Sequence, residues 1–303
     1  MKVLIAGATG LIGSKLAATL SASGVEVAAL VRDVSGASRA LPNATLHVWD
    51  ATSGQPPTGA FAGVGAVVNL IGESIAAGRW SEARKKVLRD SRIVSTRALV
   101  DALRGLAARP PVLVSASAVG FYGDRGDEIL TESSAPGTNF LADLARDWEA
   151  EAVRAQELGV RVVLLRTGVV LARGGGILGS LLPAFKLGLG ARVGSGNQWF
   201  PWIHIDDEVG LIQHALSDAR AAGPLNAVAP EPVTNREFTS VLADALSRPS
   251  LLAAPAFALR MAVGAKADEL LLASQRVMPV RTLESGYQFR FPLLRPALKS
   301  LLA

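Results

Sequence analysis

Thirteen residues at the start of the chain, MKVLIAGATGLIG, constrain its fold more than any other stretch. Val3, Leu4, Ile5 and Ala6 form a short apolar run, and Gly7, Gly10 and Gly13 follow at three-residue spacing. The next segment, SKLAATLSASG, changes to helical spacing, with Leu16 and Leu20 on one face and Gly24 as the stop. A buried strand, a tight glycine turn and a helix follow one another. Glycines in such a turn let backbone approach a pyrophosphate, which the helix N-terminus meets with N–H groups and a positive dipole end. The placement predicts dinucleotide binding. The bland alternative is a glycine-rich corner with no ligand.

With 303 residues the chain has ample length for a core, and 50% hydrophobic against 19% charged residues describes a globular α/β enzyme. It has no cysteine, which excludes thiol catalysis, disulfides and Cys-ligated metal; three histidines at no metal-binding spacing argue against a metal site altogether. No apolar stretch reaches the roughly 18 residues of a membrane span. The first residues read as a strand and not as a cleavable leader, so a cytoplasmic location without membrane attachment is expected. Net charge is +5, but the basic residues are scattered. Their densest run, Arg84, Lys85, Lys86, Arg89 and Arg92, falls on a predicted helix and reads as a solvated face. Nucleic acid is not the expected partner; an anionic cofactor suits the charge better.

The second strand, VEVAALVR, ends at Arg32 with Asp33 one place on. An acid at this strand end would take the ribose 2′-hydroxyl of NAD, whereas an arginine suits the 2′-phosphate of NADP. Arg32 is read as the phosphate partner, which predicts NADP(H) over NAD(H), with Asp33 as the counter-argument. A third strand ends at Trp49 and Asp50, and a fourth, AVVNLIGE, ends at Leu70, Ile71 and Gly72, where backbone can lie along a cofactor. A long helix over about 81–104 is expected to turn Val87, Ile93, Val94, Leu99 and Val100 to the sheet. Arg92 sits mid-helix, either at the cofactor edge or in a salt bridge. The fifth strand, PPVLVSASAVGFYGD, brings Ser115 and Ser117 to its carboxyl end, followed by Tyr122. Ligands of open parallel sheets sit at that edge, although small residues there also serve close packing. Strand and helix alternate to about residue 170, which indicates a doubly wound parallel sheet covered on both faces.

These motifs resemble the extended and atypical short-chain dehydrogenase/reductases. RWSEARKKVLRDSRIVST, FLADLARDWEAEA, RTGVVLARGGGILGSLLPAFKLGLG, GSGNQWFPWIHIDD and the ending SGYQFRFP look more narrowly like that superfamily's epimerase family proteins, in order along the whole chain. The resemblance implies a Rossmann-type domain over residues 1–168, with a return contribution from about 203–230, and a smaller substrate domain over 169–303. It implies NADP contacts from Gly7, Thr9, Gly10, Leu11, Ile12 and Gly13 of the turn, from Arg32, from Leu70, Ile71 and Gly72, from Arg92, and from backbone around Val170. Ser117 matches the superfamily's active-site serine, with Tyr122 as the nearby phenol; these two are the candidate catalytic residues.

The superfamily's proton-transfer pair, Tyr-x-x-x-Lys on one helix face, falls here on Phe140 and Leu144. Neither moves a proton. Only Tyr122 and Tyr287 exist in the chain, and neither has a lysine four residues later. Beyond residue 170 the pattern loosens. Residues 174–202 read as a glycine-rich crossover anchored by Phe185, Trp199, Phe200 and Trp202. Asp206 or Asp207 reads as a helix N-cap, and Thr234 or Asn235 as another. His204 reads as structural, with proton donation as the alternative. Two later helical stretches between 255 and 277 suit a substrate domain or a homodimer seam. Two functions survive: an NADP(H)-dependent oxidoreductase or epimerase-like enzyme on a small molecule, and a non-catalytic NADP(H)-binding sensor.

Overall fold

The computed structural model describes residues 1–303. Seven strands form the main sheet: β1 (Lys2–Ala6), β2 (Glu26–Val31), β3 (Ala44–Val48), β4 (Val64–Asn69), β5 (Val112–Ala118), β6 (Arg161–Thr167) and β7 (Gly223–Ala227). Their spatial order is β7-β6-β5-β4-β1-β2-β3. The pairs β1–β2, β1–β4, β2–β3 and β4–β5 are parallel, with Leu4 opposite Ala28 on one side and Val67 on the other. This is the doubly wound α/β architecture the alternation predicted: strands buried on both faces read as continuous apolar runs, as Val3–Ala6 and Val27–Val31 do. No helix is long and apolar enough to cross a membrane.

Chain contacts divide the molecule into two compact units. Unit 1 comprises residues 1–117, 144–165 and 209–224; unit 2 comprises 118–143, 166–208 and 225–303. In unit 1, helix α1 (Leu11–Ala22) buries Gly13, Leu16, Ala17 and Leu20, and Gly24 (φ +76°) turns the chain back to β2. Helix α2 (Val34–Ala40) follows β2, and α3 (Glu82–Arg104) follows β4 with Ser81 as N-cap. One apolar cluster joins Leu4, Leu30, Val67 and Leu113 of the sheet to Leu99, Val100 and Leu103 of α3. Burial of each such side chain contributes about 1.5–3 kcal/mol.

The face that α3 buries matches the expected one at Leu99 and Val100 and departs from it at Val87 and Val94. Val87 is 43% and Val94 36% exposed, while Leu88, Ser91, Ser95, Thr96, Leu99 and Val100 are buried. Three small hydroxyl residues occupy the inner face because each finds a hydrogen-bond partner there. Ser95 Oγ donates to Ser91 O (2.7 Å), Ser91 Oγ accepts from Glu73 N (3.2 Å), and Thr96 Oγ1 accepts from Asn69 Nδ2 and Trp148 Nε1 (2.9 Å each).

Helix α4 (Phe140–Val153) carries the positions matched to the superfamily pair. In unit 2 the stretch read as an irregular crossover contains helix α5 (Gly176–Lys186) and three short strands, Ala191–Val193, Trp199–Phe200 and Trp202–His204. Pro183 within α5 and the flanking glycines concealed its periodicity. Helix α6 (Ile205–Ser217) starts before Asp206 and Asp207, so neither is its N-cap. Asp207 is instead fully buried, accepting from Tyr287 Oη, Arg290 N (2.7 Å) and Phe291 N (2.9 Å). Helix α7 (Asn235–Ala245) has Thr234 as N-cap in a capping box with Glu237.

Candidate functional site

A cleft of about 550 Å³ opens in unit 1 at the carboxyl ends of β1, β2, β3 and β4. The three glycines of the first turn serve it differently. Gly7 has φ +84°, and a Cβ there would lie 2.7 Å from Leu70 C and O; a Cβ on Gly13 would lie 2.3 Å from Gly7 O. The chain's own packing demands both. Gly10 has an ordinary extended backbone (φ −75°, ψ 174°), and a Cβ there would meet only Gly7 O, at 3.4 Å. Nothing within the protein requires a glycine at position 10, whereas close approach of a ligand does. Gly10 is the N-cap of α1, contributes no side-chain cap, and no acid occupies the first turn. The N–H groups that a helix leaves without carbonyl partners at its start are thus offered to an anion. Carrying no competing acid and a cradle a Cβ would fill, the turn fits a pyrophosphate.

Of the residues expected at a cofactor, Gly7, Thr9, Gly10, Arg32, Leu70, Ile71 and Gly72 line this cleft. Leu11, Ile12 and Gly13 lie in the first turn of α1 behind it. Val170 belongs to unit 2, in a strand (Val169–Ala172) paired with Trp202–His204. The cleft also draws on Trp49, Asp50 and Thr52 after β3, and on Val87, Asp90 and Ser91 of α3. Trp49 and Asp50 are readable from the sequence as a strand end; the α3 residues are not, because hydropathy turns Val87 to the sheet and gives Asp90 and Ser91 no side.

At the polar end, the two neighbours Arg32 and Asp33 have separate fates. Asp33 is the N-cap of α2: its carboxylate accepts from Ser35 N, Gly36 N (3.1 Å each) and Ser35 Oγ. The Ser35 hydroxyl and these amides hold its carboxyl below the usual range. Arg32 is 81% exposed, with Glu73 at 3.8 Å. Arg92 is half-buried and clamps the loop after β4, donating to Glu73 O (2.9 Å) and Leu88 O (3.2 Å) and lying over the Trp148 ring. Burial lowers its pKa to about 10, with Glu73 opposing, so the guanidinium stays charged at neutral pH. A Cβ on Gly72 would lie 2.9 Å from Arg92 Cζ, which explains that glycine. The rest of the basic run is paired: Arg84 with Glu73, Lys85 with Glu82, Lys86 with Asp90 and Arg89 with Asp147.

The serines of β5 also part company. Ser115 is fully buried and accepts from Asn69 Nδ2 (3.3 Å) within the Thr96–Trp148 network. Ser117, the last residue of unit 1 on β5, donates to Glu149 Oε1 at 2.6 Å. Both groups are buried, and neither is among the residues that line the cleft. In unit 2, Tyr122 is fully buried; its hydroxyl donates to Asn226 Oδ1 (2.6 Å) and accepts from Arg166 Nη1 (3.1 Å). Arg166 stacks on Phe121 at 3.5 Å, and Glu132 Oε1 accepts from Asn226 N. Burial raises the phenol's pKa, although Arg166 opposes the rise. The phenol is committed to a buried network. Leu144 on α4 is buried too, at the position matched to the superfamily lysine. His204 is stacked on Phe291 at 3.9 Å, accepts from Asp206 N at Nδ1 (3.0 Å) and shares a hydrogen bond with Ser300 Oγ through Nε2 (3.1 Å).

Comparison with known proteins agrees with this geometry. A family model described as "NAD dependent epimerase/dehydratase family" matches residues 3–228, and one described as "Domain of unknown function (DUF1731)" matches residues 254–301. "Epimerase family protein Mb2239" of Mycobacterium bovis is 45% identical over 296 residues, covering 98% of this chain and 96% of that protein. The human "Epimerase family protein SDR39U1" is 39% identical over 308 residues, covering 100% of both. A crystal structure of human epimerase family protein SDR39U1 (isoform 2) with NADPH superposes with a TM-score of 0.88 at 38% identity, covering 99% of each chain. Thermus thermophilus UDP-glucose 4-epimerase in complex with NAD, at 20% identity and a TM-score of 0.77 over 100% of this chain and 99% of that one, shares the fold alone.

Proposed function

This chain belongs to the NAD-dependent epimerase/dehydratase family, and from that membership we propose that it binds NADP(H) in the unit 1 cleft and acts on a small molecule as an oxidoreductase or epimerase-like enzyme. The observation that carries the cofactor preference is the division between Arg32 and Asp33. Asp33 turns its carboxylate to the start of α2, while Arg32 leaves an exposed guanidinium on the cleft wall. A carboxylate closed on its own helix is a poor partner for a ribose hydroxyl, and a guanidinium is a good one for a phosphate. The NADPH in the human relative's crystal structure supports the same reading. When bound, the nicotinamide supplies or accepts hydride. The first turn of α1 would hold the pyrophosphate, and Leu70–Gly72 would lie along the dinucleotide.

Ser117, with Glu149 behind it, is the group proposed to exchange a proton with the substrate, in place of the missing Tyr-x-x-x-Lys pair. Tyr122 positions the segment after β5 through Asn226 and Arg166. Calorimetry on protein stripped of cofactor tests the binding reading: NADPH should bind more tightly than NADH, and Arg32→Ala should weaken NADPH by about tenfold or more while sparing NADH. Preference for NADH in the wild type overturns it.

One observation favours a second reading, a non-catalytic sensor of NADP(H) redox state: Phe140 and Leu144 leave the usual proton relay without its two groups. It requires a partner protein whose affinity differs between the NADPH and NADP forms. Equal affinity for both forms removes it.

A further inference from the structure

Two guanidinium groups converge on one carboxylate at the cleft. Glu73 Oε1 lies 3.8 Å from Arg32 Nη1, and Oε2 lies 3.5 Å from Arg84 Nη1. Arg32 and Glu73 both line the cleft; Arg84 stands behind, donating through Nη2 to Ser74 O (2.7 Å). The backbone of residue 73 is fixed independently of its carboxylate. Its N–H donates to Ser91 Oγ (3.2 Å), and its carbonyl accepts from Arg92 Nη2 (2.9 Å). Of the other nearby acids, Asp33 caps α2, and Asp50 accepts from Thr52 N and Oγ1 through Oδ1 and feels the Arg32 charge only as a lesser influence, outside ion-pair distance. Glu73 is therefore the anion placed on the cation that a 2′-phosphate would claim.

We propose that Glu73 is a specificity-determining residue of the cofactor cleft, an internal competitor for Arg32 that sets how strongly NADP(H) is preferred over NAD(H). The proposal rests on the reading of Arg32 given above. A dianionic phosphate outcompetes a monoanionic carboxylate held at 3.8 Å by a largely exposed arginine, because exposed ion pairs are weak and phosphate–guanidinium hydrogen bonds are strong. Binding must nevertheless break the Arg32–Glu73 contact and bring phosphate toward a like charge. Both costs fall on the 2′-phosphorylated cofactor and neither on NAD(H). Neutralising residue 73 lifts them and frees Arg84 as a second cation.

The test is calorimetric titration of cofactor-stripped full-length protein with NADPH, NADH, adenosine 2′,5′-bisphosphate and adenosine 5′-phosphate. Wild type, Glu73→Gln, Arg32→Ala and the double variant are compared. Glu73→Gln should tighten NADPH and the bisphosphate by about three- to tenfold and change NADH and the monophosphate by less than about twofold. The gain should be smaller in the Arg32→Ala background, where only the relieved like charge and the freed Arg84 remain, and should shrink as ionic strength rises. Because the anchors of residue 73 are backbone groups, its melting temperature should match wild type; Glu73→Ala, with the same anchors, is the second variant. If NADPH gains no more than NADH in either variant while Arg32→Ala still impairs NADPH selectively, the Glu73 proposal fails alone. If wild type shows no preference and Arg32→Ala is neutral, the reading of Arg32 fails and takes the proposal with it.

Discussion

At the scale of single residues, the glycines of the first turn separate folding from binding. Gly13 has no room for a methyl group against Gly7 O, and Gly10 has. Gly13→Ala should destabilise the protein by about 3 kcal/mol or more, since backbone must move to relieve a contact of 2.3 Å. Gly10→Ala should leave stability within about 0.5 kcal/mol and weaken NADPH binding by roughly tenfold or more. Urea denaturation and calorimetry on the two variants check this; equal loss of stability in both would mean that position 10 is as constrained as position 13. The sequence motif presents the three glycines as equivalents. Their distinct roles become visible only when Leu70 and α1 close around them.

Elements were legible where one force dominates. Continuous apolar runs marked β1, β2 and β4, and alternation of strand and helix marked the doubly wound sheet. Hydropathy finds the buried face of α3 at Leu99 and Val100 but not in the turns before them, because Ser91, Ser95 and Thr96 are buried through hydrogen bonds that no periodicity records. The same limit applies to the cleft. Arg32 is readable from its strand end, whereas the meeting of Glu73 with Arg32 and Arg84 depends on how α3 lies beside β4. Helix α4 carries its own lesson. Leu144 is packed into the core, so the missing lysine is not a gap waiting to be refilled. Leu144→Lys should cost roughly 3–5 kcal/mol by burying an unpaired charge, and Phe140→Tyr combined with it should not rescue the loss. Denaturant midpoints decide; an unchanged midpoint would show room for a lysine and its charge at that position.

For the molecule as a whole, one buried acid shapes stability against pH. Glu208 is buried in unit 2, where Thr167 Oγ1 donates to Oε1 (2.9 Å) and Oε2 has no protein partner. Burial pushes its pKa up from 4.5 to about 8, against the Thr167 hydrogen bond that lowers it. Between those values the unfolded chain releases a proton that the folded protein keeps. This group's contribution is therefore full below pH 4.5 and falls by on the order of 1.4 kcal/mol per pH unit until about pH 8. Glu208→Gln should remove that slope and stabilise the protein more at pH 8 than at pH 5, as read by urea unfolding at both values. Parallel slopes for the two proteins would mean that Glu208 is ionised in the fold. The two units share the chain in alternating segments, and unit 1 is completed only by residues 209–224. The edge strand β7 starts at the end of that last segment and is made about sixty residues after its neighbour β6. A chain emerging from its N-terminus therefore holds β6 as an open edge until β7 has been made, the kind of unpaired strand that invites pairing with other chains.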